Sequence, residues 1–499
     1  MNSKKTFDIH GKEYNRTAMV MLLLIATFAG VLNQTSLGTA IPTLMTSFKI
    51  NLATAQQATT WFLLANGIMI PVSAYLTTRF STKWLYVTAY AILISGLLIT
   101  AFAPTDNWTL FLFGRIIQAS AVGITMPLMQ VVMVNIFPAE QRGAAMGLNG
   151  LVVGLAPAIG PTFAGWILKH DLVLLGIHLS WRAIFILPLL ILTLAFLAAP
   201  FVIKDVIANR DMTLDMPSLM LSILGFGSFL WGFTNVANNG WGNLTMVILP
   251  ILIGAAVIAL FIHRQLQLDV PFLDVRVFKV KQFSITTAAI TLSMMAMMGV
   301  EMMLPLYLQN VHGLSALDSG LALLPGALMM GLVSPIAGRV YDKVGARRMA
   351  LVGFSILAIG TIPFTFLTAT TPDHFITLLY AIRMFGIAMV MMPLTASAMS
   401  ALPPHEAAHG TAANNTARQI ASAIVVALLS SVTQNVINTN KPAKLLLTND
   451  PLAYASKMID ASLKGFQTSF TIGLIFALLG IIVALFLRKG KHIEIERDL

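Results

Sequence analysis

The sequence predicts an all-α polytopic membrane protein with 14 transmembrane helices, arranged as two six-helix halves plus an inserted helix pair. Three observations predict it. First, the chain is 57% hydrophobic and only 10% charged, whereas a soluble globular protein carries roughly 25% charged residues. Second, the apolar residues gather into runs of about 20, the length a helix needs to cross a bilayer. One or two such runs could belong to a large soluble core; this many cannot. Third, a charged, glycine-punctuated stretch between two runs, Gly338–Arg348, has a weaker copy at Ala74–Lys83. A short loop recurring between paired spans is expected of a chain built from two related halves. Strand alternation is absent, which argues against a β-barrel.

In chain order the spans are expected near 17–42, 57–78, 84–104, 108–134, 143–168, 182–203, 215–237, 244–263, 282–308, 317–338, 349–368, 374–400, 408–436 and 465–487. The polar start of the chain carries Lys4, Lys5, Lys12 and Arg16, and the run after it is too long for a signal-peptide core, so it is expected to be retained as the first span. The two charged hinges follow the second and tenth spans. Arg115 and Arg383 fall in the fourth and twelfth, each followed by a Pro-Leu pair, Pro127-Leu128 and Pro393-Leu394. Spans one to six therefore repeat as nine to fourteen, and the division expected is 1–205, 206–268 (the inserted pair) and 269–499. Asn435–Lys464 is polar and lysine-dotted and is expected to be a disordered loop.

An even number of spans puts both termini on one side, and charge decides which. Most lysines and arginines fall in the tails and loops on the side of the termini. Lys49, Lys169, Arg182, Lys441, Lys444, Lys457 and Lys464 fall on the other. By the positive-inside rule both termini are cytoplasmic in a multi-pass protein of the cell membrane. The net charge of +11 is accounted for by these loops. A nucleic-acid partner is not expected, since that would need basic residues clustered on one folded surface.

Charge inside the spans carries the functional signal. A charged side chain at mid-membrane costs roughly 2.5–3.5 kcal/mol on insertion scales, so it is rarely kept without a partner or a water path. Glu301 is the one acidic residue well inside a run, Met294–Leu308. A carboxyl group held there is either a proton carrier, a counter-ion for a cationic cargo, or a structural group hydrogen-bonded to a neighbouring helix. Arg115, followed by Gln118, is either a tuner of a proton site or a helix–helix post. Arg383 and the Arg418-Gln419 pair are weaker candidates, each within reach of a helix end. Asn33-Gln34-Thr35-Ser36 in the first span is poorly suited to lipid and is expected to face a cavity. Asn33, Gln34, Thr35, Gln118, Arg418 and Gln419 are therefore the candidate cavity residues. In the fifth span, Gly154, Pro157, Gly160, Pro161 and Gly165 provide a smooth, bendable face. With Arg79, Gly338, Asp342, Lys343 and Arg347 of the hinges, they are the candidate gate. Methionines such as Met294, Met297 and Met302 are ordinary filler, or a pliable wall for varied apolar ligands.

Other chemistries lack their residues. There is no cysteine, no phosphate-binding loop of the Gly-x-x-x-x-Gly-Lys-Ser/Thr type, no nucleophile elbow and no His/Asp/Glu group at metal-ligand spacing. An enzyme, a bound metal and a cofactor are not expected.

These residues together resemble the major facilitator superfamily, and most closely its fourteen-helix drug:proton antiporter family, including multidrug and lincomycin-resistance exporters of Gram-positive bacteria. The resemblance covers nearly the whole chain and implies the major facilitator fold. Gly338–Arg348 resembles the signature loop, with its acid at Asp342. Arg115 resembles the fourth-helix arginine implicated in proton coupling. Gly154–Gly165 resembles the fifth-helix antiporter motif, with its Gly-Pro at Gly160-Pro161. Leu32–Pro42 resembles the first-helix motif, and Trp181-Arg182 the start of the sixth helix.

Two departures matter. The first-helix motif usually begins Asp-x-Thr, but here it reads Asn33-Gln34-Thr35, and asparagine carries no proton. The first hinge has lost its acid (Thr78) and its glycines (Ala74, Ser81), so a loop latch of the family's kind is expected only at Asp342. By elimination Glu301 is the leading proton-coupling candidate, with Arg115 beside it. The resemblance implies a monomeric, proton-driven exporter of amphipathic or cationic small molecules, with the proton gradient as its energy source. An exporter of an endogenous lipid, peptide or siderophore is the alternative. A non-transporting sensor or scaffold is the remote one, expected to carry a soluble domain or long tail.

Overall fold

The structure, a computed structural model, describes residues 6–137, 156, 159–170, 172–174, 177–207, 215–269, 271, 273–402, 407–443, 448 and 450–488. Among these residues it has 13 helices long and apolar enough to cross a membrane. They coincide with every predicted span except the fifth, of which residue 156 and a helix over 159–170 (α6) are described. The first span is α1 (Arg16–Thr35) continued by α2 (Leu37–Phe48). It is followed by α3 (Leu52–Arg79), α4 (Thr82–Ala101) and α5 (Trp108–Ile136), and, after α6, by α7 (Ala183–Val202). The inserted pair is α8 (Met216–Asn239) and α9 (Leu249–Gln267). The second half is α10 (Lys281–Asn310), α11 (Ala316–Val344), α12 (Ala346–Thr361), α13 (Asp373–Ser400), α14 (Ala407–Asn440) and α15 (Pro451–Leu485).

Three expectations are corrected. The first span does not stop at Pro42. It breaks at Ser36 and resumes through Pro42 to Phe48, because a proline removes one amide and Thr46 Oγ donates to the Pro42 carbonyl at 3.0 Å. The helix ends at Lys49, which takes the left-handed conformation. The loop expected over Asn435–Lys464 is largely helical: α14 runs to Asn440, and α15 starts at Pro451, capped by Asp450, whose carboxylate accepts from the Ala453 amide at 3.0 Å. The second hinge is not an open loop either. Helix α11 continues to Val344, carrying its cations past the apolar run, and only Gly345 turns the chain. Gly345 has φ 82° and ψ 164°, a region open essentially to glycine alone.

The first hinge is built differently, which explains its lost glycine. Phe80 and Ser81 turn the chain with negative φ. Ser81 caps α4, and its hydroxyl donates to Asp205 Oδ1 at 2.5 Å, where the Lys83 amide also donates at 3.0 Å. Asp205, just beyond α7, thus supplies a carboxylate to the N-terminus of α4, where the helix dipole favours negative charge. The Ile9 amide donates to the Asp205 carbonyl at 3.0 Å. The start of the chain, the first hinge and the end of α7 therefore meet at one end of the bundle, called the terminal end below.

At the opposite end the two halves touch. Gln309 Nε2 on α10 donates to the Thr39 carbonyl at 3.0 Å. The Leu52 amide donates to Gln434 Oε1 on α14 at 2.9 Å, and Thr162 Oγ to the Gly320 carbonyl at 3.1 Å. In the first half this end is filled by interlocked rings: Trp108 and Phe111 stack at 4.8 Å, with Phe48 and Trp181 against Phe111 at 5.3 and 5.6 Å.

The inserted pair lies beside both halves. Asn51 Nδ2 donates to Asn238 Oδ1 at 2.6 Å, and Ser431 Oγ to the Phe233 carbonyl at 2.7 Å. The pair is closed on itself by a two-pronged bond from Arg264 to Asp215, at 2.8 and 2.7 Å. Asp215 also caps α8 by accepting from the Ser218 amide at 3.1 Å. These bonds, chiefly the Arg264 guanidinium, lower the Asp215 carboxyl from 3.8 to about 2. A depressed carboxyl stabilises the fold above its unfolded value, and that contribution fades as pH falls from about 4 toward 2. Asp215→Ala removes a cap and an ion pair together, so we expect a loss of about 1–2 kcal/mol. Melting in detergent at neutral pH checks it; the gap from the parent should close on acidification.

Candidate functional site

The first-half site is assembled from α1, α4 and α5. Glycines set how closely these helices pack: a side chain at Gly96 would lie 2.8 Å from the Gln118 amide nitrogen, so α4 and α5 cross with backbones in contact. Arg115 on α5 is fully buried. Its Nη1 donates to Gln118 Oε1 at 2.7 Å and lies 3.4 Å from Asn33 Oδ1. Asn33 Nδ2 donates to the same Gln118 oxygen at 2.8 Å. Gln118 Nε2 donates in turn to Thr100 Oγ1 at 2.7 Å and the Gly96 carbonyl at 2.9 Å. The guanidinium lies 4.3 Å from the centre of the Phe62 ring, a cation–π contact. Its Nε and Nη2 have no hydrogen-bond partner among the described residues. Asn33 from one stretch and Arg115 and Gln118 from another are thus one network.

The second half repeats this plan. Arg383 on α13 is fully buried rather than within reach of water, which corrects its placement near a helix end. Its Nε donates to Thr361 Oγ1 at 2.8 Å and its Nη2 to the Ala296 carbonyl at 2.9 Å, while Nη1 has no described partner. Thr361 stands at the end of α12 as Thr100 stands at the end of α4, but it accepts directly from the arginine, whereas Thr100 accepts from Gln118. Glu301 on α10 is buried, 6% exposed, and its Oε2 has no hydrogen-bond partner among the described residues. Arg383 is the cation whose field reaches it, yet the two form no direct ion pair.

The remaining candidates divide. Thr35 is buried and its hydroxyl turns to the carbonyls of Val31 (3.1 Å) and Ala156 (3.3 Å), so it braces the first span rather than facing open space. Gln34 is half-buried. Arg418 and Gln419 on α14 are also half-buried although they lie well inside a span. Arg418 Nη1 is 3.5 Å from Asn415 Oδ1, and its Nε is unpartnered among the described residues. Gln419 lies against α3, where a side chain at Gly67 would come within 3.0 Å of its Cβ.

Sequence reasoning missed much of what lies around this pair of helices. Gln56, Thr59, Thr60 and Asn66 on α3, and Asn414 and Thr416 on α14, are buried with polar atoms unpartnered among the described residues. The signal was present as polar residues recurring at helical spacing over 56–66, within a run long enough to span. Unpartnered donors and acceptors in a buried interior cost about 1–3 kcal/mol each.

Of the candidate gate, Pro161 and Gly165 lie between the halves, and Gly160 packs within the first half. A side chain at Gly160 would strike Thr35 Oγ1, and one at Gly165 the Ala316 carbonyl of α11. Thr39 Oγ1 donates to the Pro161 carbonyl at 3.1 Å, and a side chain at Gly320 would lie 2.6 Å from that same oxygen. Gly154 and Pro157 lie outside the described residues, as does the side chain of Asp342. Arg79 and Lys343 are in the last turns of α3 and α11, Gly338 is within α11 with nothing against it, and Arg347 is in the first turn of α12.

Comparison with known proteins agrees with this architecture. The family model of the Major Facilitator Superfamily matches residues 23–426. An uncharacterised MFS-type transporter of Bacillus subtilis, YcnB, is 42% identical over 485 residues, 97% of this chain and 98% of its own. The lincomycin resistance protein LmrB of the same species is 35% identical over 487 residues, 96% of this chain and 97% of its own. Among solved structures, a bacterial homologue of the human lysosomal transporter Spinster, inward-facing and unoccupied, matches with a TM-score of 0.66. That match has 13% identity and covers 95% of this chain and 98% of that one, a likeness of fold alone. The chain is a membrane-embedded transporter rather than an enzyme, and it belongs to the Major Facilitator Superfamily.

Proposed function

We propose that the protein is a proton-coupled exporter of amphipathic small molecules in the cell membrane, with both termini cytoplasmic. The observation that carries the coupling is Glu301: among the described residues it is the one carboxyl buried deep in the spans, with an oxygen left without a hydrogen-bond partner. A purely structural glutamate would spend both oxygens on neighbours, because unmet acceptors are expensive in a low-dielectric interior. An open oxygen beside, but not bonded to, Arg383 suits a group that alternately holds a proton and gives it up. The exchange then follows. A proton arriving from outside neutralises Glu301 and favours the state open to the inside. Cargo enters among the unpartnered polar groups of α3 and α14 as the proton leaves, and the halves rock about the glycine crossings of α6 and α11.

The cargo class is supported by the relative whose name records lincomycin resistance and by Met302 and Gln419, which lie across from Gly38 and Gly67 of the other half. The test is transport by purified protein in proteoliposomes of lincosamides, cationic dyes and neutral amphipaths, with and without an imposed pH gradient. Gradient-dependent uphill movement of at least one member is expected. Uphill movement that ignores the gradient removes the proton mechanism, and no movement of any member removes the drug-exporter reading.

A further inference from the structure

A cluster of hydrogen-bonding groups closes the second half at the end opposite the termini, and no role above uses it. His312 follows α10 directly. Its side chain is 7% exposed, and its Nδ1 lies 2.7 Å from Asp373 Oδ1 at the start of α13. Asp373 is 47% exposed and open to solvent. On the other side of the ring, Nε2 lies 2.8 Å from Tyr307 Oη and 3.2 Å from the Thr368 carbonyl. Tyr307 Oη lies 2.7 Å from that carbonyl too. The tyrosine ring is buried against Phe466 and Phe470 of α15, with centroids 6.0 and 6.2 Å away. Gln467 of α15 donates to the Leu367 carbonyl at 2.7 Å, holding the same turn.

Protons can be counted around the ring. Tyr307 has one to give, and the Thr368 carbonyl can only accept. With the tyrosine proton on that carbonyl, Nε2 faces two oxygens that accept from it. Nδ1 faces a carboxylate, which also only accepts. In that arrangement a doubly protonated imidazole bonds to every group around it. A neutral ring instead takes the tyrosine proton on Nε2, keeps only Asp373 as acceptor, and leaves the Thr368 carbonyl of the turn without its donors. The titratable groups facing His312 are Tyr307 from α10 and Asp373 from α13; α15 contributes apolar rings and an amide, and the turn a carbonyl.

The geometry points to His312 as a second proton-binding site of the transporter, entered from solvent through Asp373, whose doubly protonated form clamps the end of α10 to the turn before α13. Gln309, one turn of helix from the clamp, makes the bond to Thr39 that joins the halves at this end, and also donates to Ser319 Oγ at 3.0 Å. Acid on this side therefore holds the far ends of the halves together. On the exporter reading this side is outside, so the same acidity that loads Glu301 would also close the outer gate; the site itself does not rest on that reading.

The chain has no cysteine, so cysteines placed at exposed Thr46 on α2 and Ala369 in the turn before α13 can carry two spin labels. Their separation is measured by pulsed EPR in nanodiscs without cargo, in a Glu301→Gln background that silences the central carboxyl. From about pH 8.5 to about pH 5.5 the ratio of close to separated far ends should rise at least about tenfold, the scale of a hydrogen bond to a charged group. His312→Gln should lose this response, and so should Asp373→Asn, whose exposed site tolerates change if the first variant folds poorly. His170, His178 and His374, also at this end, stay in place throughout. A response that survives both substitutions, or none in the parent, overturns the site. Neither outcome touches the transport assay that tests export.

Discussion

Glu301→Gln is expected to abolish uphill export while leaving cargo binding and downhill exchange intact. The substitution keeps the shape of the side chain and its hydrogen-bonding capacity, and removes only the ability to exchange a proton. A pH gradient of about two units supplies about 2.7 kcal/mol, a hundredfold accumulation. The variant should therefore lose about two orders of magnitude of gradient-driven accumulation in proteoliposomes, with binding changed far less. Stability should not fall, since exchanging a buried ionisable group for a neutral one of similar size is often neutral or favourable. The first-helix position that would otherwise carry the proton is Asn33, and the structure places it in a closed amide network with Gln118, which has no proton to exchange. Undiminished uphill transport by Glu301→Gln would remove Glu301 from the cycle and leave the coupling without a carboxyl inside the spans.

How far the fold was legible follows from which force sets each part. The spans were legible because hydrocarbon imposes their length and leaves the backbone no alternative to a helix. Their ends were not, because a helix that has left the lipid continues wherever local capping favours it. Asp450 starts α15 well before the apolar run begins, and α11 runs on through charged residues until Gly345 turns it. The site residues were legible singly, since a charge or amide in an apolar run stands out in composition. Their grouping was not. Asn33 of α1 meets Arg115 and Gln118 of α5 only when those two helices pack, and Gln118 reaches Thr100 and the Gly96 carbonyl only because Gly96 lets α4 and α5 cross in contact. Asp205 was invisible as a partner of the first hinge because it lies at the end of another helix, in a loop rich in ordinary polar residues. The same holds for His312, just past α10, and Asp373, the first residue of α13, which become neighbours only when those two helices are packed.

Arg115→Met separates the two roles open to the fourth-helix arginine. A structural post would be expected to satisfy its donors. Arg115 instead leaves Nε and Nη2 unpartnered among the described residues while fully buried, and spends one nitrogen on Gln118 and Asn33. A desolvated charge that is only partly hydrogen-bonded stabilises little, and its replacement by an apolar side chain of similar volume is often neutral. Methionine should therefore change the unfolding free energy by no more than about 1 kcal/mol. Gln118 keeps three bonds without it, to Asn33, Thr100 and Gly96. Transport should nonetheless fall at least about tenfold, the equivalent of 1.4 kcal/mol at the limiting step. Lysine should not restore it, because it lacks the planar fork that reaches Gln118 and stacks on Phe62. Melting temperature and transport measured on the same preparation decide the matter. A large drop in both would make Arg115 a post after all, and full transport by the methionine variant would remove it from the cycle. The expected split, stability kept and transport lost, would mean that the unpartnered guanidinium donors serve the transport cycle rather than the packing of the first half.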